Sequence, residues 1–248
     1  MVDKISPQDQ YDLSRAINQS SIQLITSSLQ GLGIHPRVSH KLLHIHADPE
    51  TLQPTSIEWS SAWVEQQVIF RACERERSAV RSFIKSTEGI GEIAAFRGNL
   101  FEPFGHAIAM KGGHFTVMDL QTREESSIVL PCRSEKLEIF SSLAEIRPAD
   151  DASYWRPKSK SLAAIDALVQ PNILLQMTLA NKHDIVAEGL LQALDVLRDP
   201  DSARLYFLVL AENFDSFQKQ RLKKIKGLSN ADLQRLKAVQ QFALKVEL

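Results

Sequence analysis

Cysteine is nearly missing from this chain. Cys73 and Cys132 are the only two, too few and too far apart for a disulfide scaffold or a zinc site, so the fold needs neither. Their scarcity fits a reducing compartment. Long apolar runs are lacking too. None reaches the length of a membrane span, and MVDKISPQDQYDLSR has no apolar core of the signal-peptide kind. There is no GxxxxGK[ST], hence no phosphate cradle, and the chain should not hydrolyse ATP. There is no GxSxG, and neither cysteine sits in a recognisable nucleophile context, which disfavours a serine or cysteine hydrolase. Charge of one sign is lacking as well. Lys and Arg number 29 and Asp and Glu 30, a formal net charge of −1. Any hold on nucleic acid has to come from a local basic face.

What is present suits a globular chain. A hydrophobic share of 44% over 248 residues is enough to bury a core, in one large domain or two small ones. Residues 1–62 read as a small N-terminal region. Within Gln8–Leu32, Leu13, Ile17, Leu24, Ile25 and Leu29 have amphipathic helix spacing, interrupted by Ser20 and Ser21 and ended by Gly31 and Gly33. VSHKLLHIHAD comes next as a strand. His40, His44 and His46 share one strand face, but no Cys or carboxylate pair accompanies them, and exposed histidines need no metal. Pro54-Thr55-Ser56 reads as a linker or turn.

Residues 63–248 read as the main domain. Trp63–Ser86 and Glu88–Met110 have helical spacing, with Pro103 predicting a kink just after Glu102. Glu102 and His106, four apart, stack on one helix face, whereas Arg97 lies on an adjoining one. HFTVMDL and SSIVLPC form a hairpin through QTREE. EKLEIFSSLAEI fits either a strand plus a helix or one helix. Asp184–Leu197 is an amphipathic helix with Asp184 near its positive end, ARLYFLVL is a buried strand, and QQFALKVEL closes the sheet as a last strand. This order predicts a three-layer α/β domain.

The stretch with most chemistry is Leu162–Thr178, LAAIDALVQPNILLQMT. It reads as two apolar strands, Leu162–Val169 and Asn172–Thr178, broken by Gln170-Pro171. Each carries one polar residue that an apolar strand has no structural reason to hold, Asp166 and Gln176. A buried polar group without a partner costs about 1–3 kcal/mol, so the two are expected to face one cavity. Two readings are open. The residues tie the turn down by hydrogen bonds, or they form part of an oxygen-rich site for a divalent cation.

The run YWRPKSKSLAAIDALVQPNILLQMTLANKHDI (Tyr154–Ile185) resembles the C-terminal domain of the Crinkler and retrotransposon-hot-spot families of fungi, oomycetes and kinetoplastids. It carries their Pro-containing lead-in (Pro157), "iDA" strand (Asp166), "lfQxT" strand (Gln176, Thr178) and subsequent histidine (His183). RGNLFEPFGH (Arg97–His106) is similar to the family's "RGxLFExxxH" helix. The likeness runs from about Trp63 to Leu248. SHKLLHIHAD is similar to the segment just after the ATPase module in larger members, which makes residues 1–62 a remnant of that module or a small cap.

The resemblance implies a restriction-endonuclease-like fold of the PD-(D/E)xK type and phosphodiester hydrolysis with Mg²⁺ or Mn²⁺. It makes Asp166 the principal metal ligand and Glu102 the second. Gln176 replaces an acidic residue and Thr178 stands where a lysine is usual, so the basic role must pass elsewhere; Arg97, Lys158, Lys160 and Lys182 are candidates. His183 is a phosphate donor or a helix-terminal residue. The resemblance also implies a secreted effector that acts inside a host cell, in its nucleus on one reading, with DNA or a host protein as partner. A catalytically inactive module that keeps the fold and binds either partner is the alternative.

KQRLKKIKGLSNADLQRLK carries the one strong charge bias. Lys219, Arg221, Lys223, Lys224 and Lys226 can hold phosphates or form a nuclear address. They can equally be the solvated face of a helix that packs Leu222, Ile225 and Leu228 inward.

Overall fold

The serines that interrupt the first apolar stripe end the first helix. In the computed structural model α1 spans Pro7–Gln19, because the Ser20 hydroxyl donates to Ile17 O at 2.8 Å and its N–H folds back to Ala16 O. The structure describes residues 7–21, 41–51, 54–61, 64, 67–68, 77–87, 94–133, 136–151, 153–158 and 164–247. The expected continuation of α1, His40, Cys73 and Lys160 lie outside these. The contacts divide the chain into two compact units, Met1–Ala94 (with Leu248) and Ala95–Glu247.

In the first unit β1 (Leu43–Ala47) pairs antiparallel with β2 (Pro54–Trp59). Pro54, Thr55 and Ser56 thus open a strand rather than a linker; a proline is tolerated at the first strand position. His44 and His46 are exposed. Ile17, Leu42, Leu43, Val64 and Val68 form this unit's small core. Within the helix expected over Trp63–Ser86, α2 covers Arg77–Ser86.

The second unit begins within α3 (Ala94–Lys111), which runs through Pro103. The expected hairpin is next, as β3 (Gly113–Asp119) and β4 (Glu125–Leu130). EKLEIFSSLAEI resolves into β5 (Leu137–Phe140) and a single 3₁₀ turn, Leu143–Glu145, with a capping box between Ser142 and Glu145. Then come β6 (Tyr154–Pro157), β7 (Ala167–Val169) and β8 (Ile173–Met177). β9 (Ile185–Val186) takes the first residues expected to be helical, so α4 begins later, at Ala187–Asp195. β10 (Arg204–Leu210), the short α5 (Ala211–Phe214), β11 (Leu222–Lys223), α6 (Asn230–Ala238) and β12 (Gln240–Val246) complete the unit.

Eight strands form one mixed sheet in the order β4-β3-β12-β10-β8-β7-β6-β5. β8, β10 and β12 are parallel neighbours. β12, expected to close the sheet, lies inside it, where it joins the β3–β4 hairpin to the parallel strands. Both faces of the sheet are covered. Leu168, Leu174, Leu205, Phe207, Val209 and Ala243 share a core with Leu190 and Leu194 of α4 and Leu236 of α6. On the opposite face α3 presses close at Gly105: a Cβ there would overlap the side chain of Met177, with Leu208 next to it. This is a three-layer α/β arrangement. Among the described residues no helix is long and apolar enough to cross a membrane.

Candidate functional site

Alternation along β6 sends its residues two ways. Trp155 pairs with Leu168 and belongs to the core under α4, so Tyr154 and Arg156 face α3. There Tyr154 meets His106, its hydroxyl 2.7 Å from Nδ1 and the rings edge to face. Glu102 lies one turn earlier on α3, with Oε1 3.8 Å from Arg156 Nη2 and 3.9 Å from His106 Nε2. Glu102 and Arg156 keep 22% and 14% of their side-chain surface, whereas His106 keeps 2%. Water can reach one side of this group and is shut out of the other.

Burial decides the charges. It pushes the imidazole of His106 well below its ordinary value, and the neighbouring Arg156 charge adds to that, so His106 is neutral. The cation facing Glu102 is therefore Arg156, not the histidine. His106 Nε2 is buried without a hydrogen-bond partner. Burial also raises Tyr154 well above the phenol range; Arg156 works against this, while the carboxylates of Asp166 and Glu102 add to it.

Asp166 precedes β7, which pairs with β8 as expected from the two apolar runs. The ladder ends at Ala167 and Leu175, leaving the N–H of Met177 as the next donor on that edge of β8. Asp166 Oδ2 accepts it at 2.7 Å and accepts Gln176 Nε2 at 2.8 Å. The Asp166 N–H donates to Leu175 O at 2.8 Å. The two polar residues of the apolar strands do meet, and Asp166 stands in for a missing neighbour of β8.

Thr178 is buried, and its hydroxyl closes the turn after β8 with the N–H and O of Ala180. The His183 N–H donates to Gln220 Oε1 at 2.6 Å, and burial lowers the ring's pKa. Arg97 is half-buried near the start of α3, and Lys158 and Lys182 are exposed. RLKKIK is not helical. It runs through β11 into a loop in which Lys224 has φ of 59° and Gly227 of 92°. Leu222 and Leu228 pack against the core as expected, but Ile225 is exposed.

Sequence reasoning missed Arg156 and Tyr154. The signal was there: reading alternation back from Pro157 puts both on one face of the strand that leads to Asp166. For His106 the sequence offers its stacking with Glu102 and its place at the end of the RGNLFEPFGH motif. Among the described residues no three His, Cys, Asp or Glu side chains gather closely enough to hold a metal ion. No family model, curated protein or solved structure matches this chain.

Proposed function

We propose that the second unit is a metal-dependent DNA nuclease of the restriction-endonuclease-like kind that its motifs resemble, acting as an effector inside a host cell. The observation that carries this reading is the gathering of Glu102 and Arg156 about the Tyr154–His106 pair, with Asp166 just before β7, the strand next to Arg156's own. Mg²⁺ or Mn²⁺, held by Asp166 and Glu102, would polarise a phosphate and supply hydroxide near neutral pH. Two N–H donors fix the Asp166 carboxylate, which keeps its direction constant. Arg156 provides the positive charge that Thr178 cannot, and its planar guanidinium suits a phosphate oxygen pair. Tyr154 and His106 take no part in bond breaking; they hold Arg156 and Glu102 at the edge of a sealed core.

The alternative, a binding module without catalysis, is favoured by one specific observation. Asp166 Oδ2 already accepts two hydrogen bonds that the end of the β7–β8 ladder requires. Thermal melting separates the two. On the nuclease reading Mg²⁺ or Mn²⁺ raises the wild-type Tm by mass action on the folded state, and Asp166→Asn and Glu102→Gln each remove the shift. A shift that survives in Asp166→Asn places the ion elsewhere, and no shift at all favours the binding module.

A further inference from the structure

The strand pair β9–β11 gathers cations around a carboxylate of its own. Its parallel register sets Ile185 beside Leu222 and Val186 beside Lys223, and the Ile185 N–H donates to Arg221 O at 2.8 Å. Asp184 and Arg221 therefore stand at the same end of the pair. Asp184 Oδ2 lies 2.8 Å from Lys223 Nζ; the lysine is 61% exposed and the carboxylate only 9%. Asp184 Oδ1 is buried without a hydrogen-bond partner. The Lys223 hydrogen bond, opposed by burial and aided by the charges of Lys223, Lys182 and Arg221, holds this carboxyl below its ordinary range.

The platform under the cluster is fixed by amides. Gln220 is buried; its Oε1 takes the His183 N–H and its Nε2 donates to Asn181 O at 3.2 Å. Gln220 and Gln241 of β12 exchange two further hydrogen bonds, at 2.8 and 3.1 Å. Lys182, Arg221 and Lys223 are thus presented to solvent from a braced backbone, three cations around one anion. One carboxylate cannot neutralise three cations, and a polyanion is the ligand whose charge would.

We infer that this is a phosphate-binding site whose resident anion is Asp184, and that a DNA backbone phosphate takes the place of Asp184 at Lys223. The inference rests on DNA being the polymer of the proposed function. Removing the Asp184 charge leaves the three cations free for phosphate. A unit charge about 4 Å away in water is worth about a five-fold change in affinity.

Fluorescence anisotropy of a short duplex, in EDTA and over a range of salt, is the test. Asp184→Asn is expected to bind about five-fold tighter than wild type, with a salt slope close to the wild-type one because Lys223 meets a phosphate in both. Lys223→Gln is expected to flatten the wild-type slope by about 0.9. Equal or weaker binding by Asp184→Asn at an unchanged Tm overturns the proposal. If that variant does not fold, Lys223→Gln decides: an unaltered slope overturns the proposal, and the flattened one supports it. Absence of binding by wild type at low salt also overturns it. Because cleavage is not read, a wild type that binds in this way but never cuts counts against the nuclease reading alone. A wild type that cuts while Asp184→Asn binds no tighter counts against this site alone.

Discussion

Around Tyr154 the charged groups sit at the rim of a dry core: Arg156 and Glu102 are largely covered, and the histidine beside Glu102 is neutral. Along β11 the charges stand in water, with Arg221, Lys224 and Lys226 exposed and Lys223 paired to the nearly buried Asp184. The physics differs accordingly. In the first region the Tyr154–His106 contact is made without competition from water, and losing it leaves a group unsatisfied. In the second, screening makes each charge weak alone, and the residues matter through their number and their release of counterions. Substitutions should therefore act on stability in the first region and on binding in the second.

The sharpest break is expected from His106→Ala. It opens a cavity under α3 and strips the Tyr154 hydroxyl of its partner, at a cost of about 3 kcal/mol in urea unfolding. A loss below about 1 kcal/mol would show that the pair is not sealed. Gly105→Ala should come next. Alanine favours a helix, but its methyl would meet Met177, and overpacking costs about 1–3 kcal/mol. A variant more stable than wild type would mean that α3 does not press on β8 there.

Tyr154→Phe is expected to cost about 1–2 kcal/mol, because it leaves His106 Nδ1 unpaired. The pair also sets a pH window. The folded-state pKa of His106 lies below 6.5, so its contribution is whole above pH 6.5 and is lost as pH falls below it. That of Tyr154 lies above 10.0, so its contribution is whole below pH 10 and is lost as pH rises beyond it. Each limb has a slope of at most about 1.4 kcal/mol per pH unit. Unfolding of His106→Gln between about pH 6.5 and pH 5 should show a shallower acid limb than wild type.

The smallest effect on stability belongs to the basic strip. Changing Lys219, Lys223 and Lys224 together to Gln should move unfolding by only about 0.5 kcal/mol. The salt slope of DNA binding should nevertheless flatten by about two to three if all three touch phosphates. A large loss of stability with an unaltered slope would reverse the contrast between the two regions.

The two regions also differed in how much of them was legible in the sequence. Asp166 and Gln176 were readable because a polar residue in an apolar strand demands a partner, and each is the other's. Arg156 was not, since a four-residue strand such as YWRP gives too little alternation to stand out. RLKKIK misled through its density of charge, which suits an exposed helix as well as it suits the short strand and loop that form. Its course is set by tertiary bonds, the β9 ladder and the Gln220 amides, which leave no periodic trace. The place of β12 inside the sheet was hidden for the same kind of reason: local pattern gives a strand but not its neighbours. The short β9 escaped likewise, because Ile185 and Val186 fit the stripe of the helix after it.

Plasmid cleavage by purified wild type and Asp166→Asn, with Mg²⁺, Mn²⁺ or EDTA, decides whether the Asp166 carboxylate does chemistry or only completes a strand edge. The expected result is cutting by wild type with either metal, none in EDTA, and none by Asp166→Asn even though its affinity for DNA is equal or slightly higher. Equal cutting by Asp166→Asn, or a folded wild type that binds DNA and cuts with neither metal, would contradict the nuclease reading.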